Sequence, residues 1–284
     1  MTLPSRIAVV GLGLIGGSMA LALKDRHSVV AHDPDPETCE AANALGIPTI
    51  HLSGAVKDAG LVILASPVRS LALAGLKAAP HLRKGAVITD VGSSKSEVVQ
   101  DLEAHLPPHC MYVGGHPMAG SEKSGFRAAR PDLFRGSCWV ITPTGKTHPR
   151  CVEVVLSLVN ELGAKPVFMS VAEHDRLVAL VSHLPYLLSA ALTRTVLDAS
   201  RVYPEAAAVA SAGFRDMTRL AACDPTMASD FCVSNKDFIM DALNMFLQHF
   251  REAASALQDD GGSLRPLLLE AKHFRDSLAV EKGW

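Results

Sequence analysis

Residues 7–16 read Ile7-Ala8-Val9-Val10-Gly11-Leu12-Gly13-Leu14-Ile15-Gly16. Four apolar residues in a row suit a strand buried on both faces, because helix-covered parallel strands show neither face to water. The glycines that follow divide three tasks. Gly11 permits a tight turn, Gly13 lets the backbone approach a pyrophosphate, and Gly16 lets a helix pack closely on the strand. A helix opening here offers unpaired N–H groups and its positive dipole end to phosphates. Glycines recur in turns for many reasons, so the motif alone is weak; the strand before it and the helix after it supply the context it needs. Leu14 and Ile15, in the first turn of that helix, complete the candidate phosphate-binding set.

Outward from this stretch the pattern repeats. Apolar runs at 29–31, 61–65, 86–89, 111–113, 139–141 and 167–169 alternate with helical segments. That alternation predicts an α/β fold, a Rossmann-type doubly wound sheet. The direction of the strands after Met111 is left open. Asp33 ends the second strand, 22 residues after Gly11. A carboxylate there accepts hydrogen bonds from ribose hydroxyls and repels a 2′-phosphate, and no arginine follows within ten residues, so the cofactor expected is NAD. Ser66-Pro67, after the third strand, falls where such a sheet meets its cofactor again.

Strand signals stop after Met169. The segment 171–198 is rich in Leu, Val and Ala without a glycine, which predicts a mostly buried helix. Asp224-Pro225 is a helix start, an Asp N-cap followed by Pro in the first turn. Helix is expected from there to about Gln258, broken near Ser234-Asn235. Phe238, Ala242, Met245, Phe246 and Phe250 fall at helical spacing and form a core or subunit-interface stripe. The reading is two domains, 1–170 binding NAD and 171–284 an all-helical domain for substrate binding and dimerisation.

The bulk properties narrow the function classes. The net charge of −2 over 284 residues provides no basic field for nucleic acid or anionic lipid. Six cysteines without a CxxC pair read as reduced thiols, pointing to the cytoplasm. The N-terminus runs almost directly into a strand, so no signal peptide is expected, nor any uninterrupted apolar stretch of membrane-spanning length. No metal is expected.

Two loops carry candidate chemistry. In Asp90-Val91-Gly92-Ser93-Ser94-Lys95, Ser94 and Glu97 have the spacing of a capping box, which leaves Ser93 to face the cofactor cleft. In Gly114-Gly115-His116-Pro117-Met118-Ala119-Gly120, a histidine directly after a strand, between small residues, is placed to meet a ligand. A single histidine serves structure as often as chemistry.

GLGLIGGS (11–18), DVGSSK (90–95), GGHPMAG (114–120), SHLP (182–185) and GFRDMTR (213–219) occur here in the order found in prephenate and arogenate dehydrogenases, which the chain resembles over nearly its whole length. The resemblance implies an NAD-dependent oxidative decarboxylation on the way to tyrosine, performed by a homodimer. It implies that His116 accepts the proton of the substrate's ring hydroxyl, that Ser93 orients that hydroxyl, and that Arg219 grips a carboxylate with Arg215 as support. Ser182 opens the SHLP motif at the substrate. Some members have a second histidine after this motif, contacting the pyruvyl side chain; here Tyr186 stands there, able to donate a hydrogen bond without charge. His174 and His183 match family positions with roles open among packing, capping and catalysis. Glu122, in a GxEKSG segment, is expected near the end of the substrate where prephenate and arogenate differ. A carboxylate could favour an ammonium, but the GxEKSG form resembles prephenate-using members, so prephenate is expected and arogenate is the alternative. The short chain reads as a monofunctional form.

Elementary chemistry agrees with those roles. Removing a hydride from an alcohol carbon requires the O–H to lose its proton, and a neutral imidazole suits that near pH 7. A dianionic substrate on a nearly neutral protein requires placed arginines. Two other readings are weighed. A hydroxyacid dehydrogenase with a helical second domain usually employs a lysine on that domain's first helix, and 171–198 contains none. A non-catalytic NAD(H) sensor has no need of His116, Ser93 and Arg219 together.

Overall fold

The computed structural model describes residues 2–258 and 262–283. All seven apolar runs are strands: β1 (Arg6–Val10), β2 (Ser28–His32), β3 (Leu61–Leu64), β4 (Val87–Asp90), β5 (Met111–Pro117), β6 (Cys138–Thr142) and β7 (Lys165–Phe168). They form one sheet in the order β2-β1-β3-β4-β5-β6-β7. The strands from β2 through β5 are parallel, β5 and β6 are antiparallel, and β7 runs parallel to β6. Strand direction after Met111 is thereby settled.

Alternate residues of β1 enter two different cores, as a pleated strand covered on both faces requires. Ile7 and Val9 join Met19, Leu23, Trp139 and Leu158. Ala8 and Val10 join Leu71, Val99 and Leu102. Of the two edge strands, β2 is buried through Val29–Ala31, whereas β7 is exposed along its length.

The segment after the sheet departs from expectation. Residues 171–200 are helical throughout, but as helix Val171–Val178, a wide π-turn over Ala179–His183, and helix Leu184–Ser200. Ser170 and Glu173 form a capping box at its start. Pro185 lacks the N–H that would bond the carbonyl four residues before it, which favours opening of the turn. The expected mostly buried helix is corrected: in the single chain Leu177, Val181 and Leu197 are exposed. An 18-residue window of this run reaches a mean hydropathy of 1.3, enough by length and composition alone to cross a membrane, but the run is not an uninterrupted apolar stretch: it carries buried polar groups, His174, Asp175 and His183, that the site employs.

Asp224 caps helix Pro225–Ser234, its carboxylate accepting from the Thr226 and Met227 N–H groups. The break at Asn235 falls where the sequence suggests it. Residues 1–236 form one compact unit and 237–284 a second. The apolar stripe Phe238, Ala242, Met245, Phe246 and Phe250 lies on helix Lys236–Ala256, which is followed by helix Leu264–Lys282. Ala242 there is buried, Met245 and Phe250 are exposed, and the Phe246 and Phe250 rings stack.

Candidate active site

A cavity of about 760 Å³ opens at the carboxyl ends of the parallel strands, where open α/β sheets bind their ligands. Its wall collects Gly11, Gly13, Leu14, Ile15, Asp33, Ser66 and Pro67 at one end. Ser93, His116, Glu122, Ser182 and His183 line the same cavity. Gly16 is buried and not part of the wall; a methyl there would be driven into the Gly11 carbonyl oxygen. Gly11 has φ +98°, and a Cβ would lie 2.7 Å from the Ala65 carbonyl carbon. Gly13, by contrast, has open space where its Cβ would stand. The turn thus leaves bare backbone facing the cavity, as a pyrophosphate requires.

The Asp33 carboxylate is fixed from both sides. Oδ2 accepts from the Leu12 N–H at 2.7 Å and Oδ1 from the Asp35 N–H at 2.9 Å. It braces the glycine turn while keeping acceptor capacity for ribose hydroxyls. The Ser66 hydroxyl is buried without a hydrogen-bond partner among the described residues. A buried polar group left unpaired in a cavity wall costs free energy unless a ligand satisfies it. These residues fit a dinucleotide.

His116 lies on β5, whose first half pairs with β4 (Met111–Val113) and whose second half pairs with β6 (Gly114–Pro117). Its Nδ1 is 2.8 Å from Nε2 of His174, and Nδ1 of His174 is 2.7 Å from Oδ1 of Asp175. The direction of this chain can be derived. Asp175 also accepts from the Lys95 and Ser96 backbone N–H groups and the Ser96 hydroxyl, each within 2.7 Å. Burial alone would raise its pKa, but the hydrogen bonds from His174, Ser96 and Lys95 outweigh that and hold the carboxyl below its ordinary range. An ionised carboxylate only accepts, so His174 carries its proton on Nδ1 and offers a lone pair at Nε2. His116 must then donate from Nδ1, which leaves its own Nε2 as an unprotonated base. Burial, followed by His174, Lys95 and His183, holds the His116 pKa well below its ordinary value.

The expected capping box at Ser94 does not form. Helix Ser96–His105 begins later, with no side-chain cap of its own, and the remote Asp175 carboxylate binds its first N–H groups instead. A charged acceptor taking two backbone donors outcompetes a hydroxyl taking one. Ser94 Oγ is 2.7 Å from Ser234 Oγ. Lys95 is fully buried and ion-paired with Asp90, which also accepts from the Tyr112 hydroxyl (2.7 Å) and the Gly92 N–H (2.8 Å). This network pins the loop that presents Ser93.

Arg219, Arg215 and Tyr186 are not part of the cavity wall; Arg219 is half exposed, 3.5 Å from Glu122, which lines the cavity. Arg215 faces solvent, paired with Asp216 at 3.0 Å. Tyr186 stands edge-on to Phe231, ring centroids 5.5 Å apart, and Phe231 lines the cavity. Sequence reading left His174 and His183 undecided and passed over Asp175, Lys95 and Asn235. The EHD triplet at 173–175 was the one available signal.

Comparison with known proteins agrees with this geometry. The family model described as "Prephenate dehydrogenase, nucleotide-binding domain" matches residues 19–168, and "Prephenate dehydrogenase, dimerization domain" matches 170–268. The prephenate dehydrogenase of Bacillus subtilis is 37% identical, over 98% of this chain and 77% of the relative. A crystal structure of prephenate dehydrogenase from A. aeolicus, in complex with hydroxyphenyl propionate and NAD+, superposes with TM-score 0.88 at 31% identity, covering 97% of this chain and 98% of that one. Synechocystis arogenate dehydrogenase gives TM-score 0.81 at 30% identity, covering 96% and 99%. With both family domains matched in sequence and a wall that joins a dinucleotide turn to an oriented imidazole base, the chain belongs to the prephenate dehydrogenase family.

Proposed function

We propose that the chain catalyses the NAD-dependent oxidative decarboxylation of prephenate to 4-hydroxyphenylpyruvate. The observation that carries this reading is the free Nε2 of His116, in the same cavity as the glycine turn. Bound NAD supplies the hydride acceptor. The protein handles the proton: Ser93 orients the ring hydroxyl, and His116 Nε2 takes its proton as the hydride departs from the ring carbon. The imidazolium so formed donates to His174, whose own proton leans on Asp175, so its charge is compensated by a carboxylate that does not itself touch the substrate. Loss of carbon dioxide makes the ring aromatic, and the phenolic oxygen recovers the proton from His116.

The test is NADH or NADPH production from purified prephenate and arogenate, each with NAD and NADP. Prephenate with NAD should win, because Asp33 repels a 2′-phosphate. Equal turnover of both cofactors would remove Asp33 from the selection. One observation favours arogenate: Glu122, which lines the cavity, is held below the ordinary carboxylate range by its own backbone N–H and then by Arg219, so an anion stands ready for an ammonium. Arogenate turning over faster would make that reading the correct one.

For prephenate, Arg219 must exchange Glu122 for a substrate carboxylate. Arg219→Ala is therefore expected to act chiefly on KM, since this carboxylate persists from ground state to transition state. The expected cost is about 2 kcal/mol, or roughly 30-fold, at the low end for a charged pair because the arginine is half exposed. An unchanged KM would return Arg219 to a solvated surface role.

Six free thiols fit a reducing compartment, the cytoplasm. The exposed apolar side chains of 171–200 support assembly as a homodimer through the helical region. Light scattering at micromolar concentration should give twice the chain mass of 30.1 kDa, and an active monomer would refute this.

A further inference from the structure

We propose that Asn235 is a positioning residue for the proton relay: its side-chain amide fixes where Asp175 stands, and so how His174 meets His116. This rests on His116 being the base, as argued above. Asn235 lies at the break between helices Pro225–Ser234 and Lys236–Ala256 and is not part of the cavity wall.

Asparagine is common where helices end because it tolerates the left-handed conformation. That reason does not apply here, for Asn235 has φ −122° and ψ 25°. Its side chain is what the position requires. The residue is buried, and a buried amide must find partners. Nδ2 carries two hydrogens, and both are used. It is 2.8 Å from the Asp175 carbonyl oxygen, an atom that only accepts, and 3.1 Å from Nδ1 of His183. Burial, against the opposing pull of Asp175, lowers the His183 pKa to about 4. The ring is therefore neutral, and with Nδ1 accepting, its proton sits on Nε2. His183 is held in turn flat against Phe231, centroids 4.6 Å apart at 19°. One amide nitrogen thus ties a residue ahead of the π-turn to the residue that ends it.

The preceding residue completes the grip. Ser234 Oγ is 2.7 Å from Ser94 Oγ, and Ser94 leads into Lys95 and Ser96, whose backbone N–H groups bind the Asp175 carboxylate. Residues 234 and 235 therefore hold both parties to that contact, the loop on one side and the Asp175 backbone on the other. Ser94, Asp175, Ser234 and Asn235 are all buried. From Asp175 the relay runs 2.7 Å to His174 and 2.8 Å on to His116. Hydrogen bonds weaken steeply with misalignment, so a shift of the Asp175 backbone is felt at the base two bonds away.

The test is Asn235→Ala, which leaves the Asp175 carbonyl and His183 Nδ1 without their donor and removes no atom of the cavity wall. kcat should fall by roughly 10- to 100-fold, as a small displacement transmitted to a reacting group does. KM should change much less, and NADH should bind as before. Histidine 15N NMR without substrate supplies a readout that a merely structural role would not move. In the unaltered protein His183 should be protonated on Nε2 and His174 on Nδ1; in the variant each should become a mixture of tautomers. A variant that melts at lower temperature yet keeps its kcat and its His174 tautomer overturns the proposal. So does His183 found protonated on Nδ1 in the unaltered protein, since Asn235 would then donate nothing to it. Should the alanine variant not fold, Asn235→Ser, which keeps a single shorter donor, is judged by the same criteria. Failure of the base reading looks different: His116→Asn would then keep its kcat, while the tautomers would still answer for Asn235.

Discussion

Replacing His116 with asparagine is expected to lower kcat by roughly 10²–10⁴-fold, the range lost with a general base, and to leave KM nearly unchanged. The lone pair at Nε2 acts as the hydroxyl proton moves, so its removal is felt in the transition state and little in the ground state. The pH profile carries the sharper signature. His116 must be neutral to accept a proton, so activity is lost as pH falls through its pKa. Because burial, then His174, Lys95 and His183, lowers that pKa, the acid limb should lie well below the ordinary histidine value of about 6.5. The asparagine variant has no such group and should show no such limb. Steady-state rates from acid to neutral pH check both points. A variant with near-normal kcat and an intact acid limb would take His116 out of the mechanism.

The second large effect is expected at Asp175, which touches neither substrate nor cofactor. Asp175→Asn replaces an anion that accepts four hydrogen bonds with an amide that has one acceptor oxygen and two unwanted donors. His174 then has no reason to hold its proton on Nδ1, and His116 loses the acceptor that fixes its own tautomer. In the Ser-His-Asp triad the corresponding change costs about 10⁴ in kcat; with one more imidazole between carboxylate and base, roughly 10²–10³ is expected by the same logic. Loss of the anion also makes the His116 imidazolium less favourable, so the remaining acid limb should move to lower pH. Helix Ser96–His105 loses its cap too, and the melting temperature should fall, since a lost N-cap costs about 1 kcal/mol or more. Parallel measurement of kcat, its acid limb and thermal unfolding separates the effects. Normal kcat with reduced stability would leave Asp175 a cap and nothing else.

The contrast between these residues shows what was legible in the sequence. His116 could be found because its signal is local, a histidine between glycines at a strand end. The strands announced themselves by continuous apolar runs, and Asp224 by the proline that follows it. Asp175 carries no such signal. Its role depends on reaching the backbone of Lys95 and Ser96, about 80 residues away, and periodicity cannot see that. The Ser94–Glu97 pattern misled for the same reason, because a local rule counts only local competitors. Lys95 is a harder case: lysines are almost never fully buried unless paired, and its partner is five residues earlier on a different element. Exposure along 171–200 was missed because apolar composition gives the same pattern for a helix buried in its own chain and one awaiting a second copy.

The position of His116 on β5 has a consequence for motion. The strand is bonded to β4 along its first half and to β6 along its second, so the residue has no hinge on either side. Residues 120–125, which line the cavity outside any regular element, and the helical segments bearing Ser182, Met227 and Phe231 are built differently. Whatever displacement accompanies the arrival of substrate must be carried out by them, against an anvil that stays still. Substitutions that slow such a closure should therefore cluster in those segments, and those near β5 should alter the chemical step.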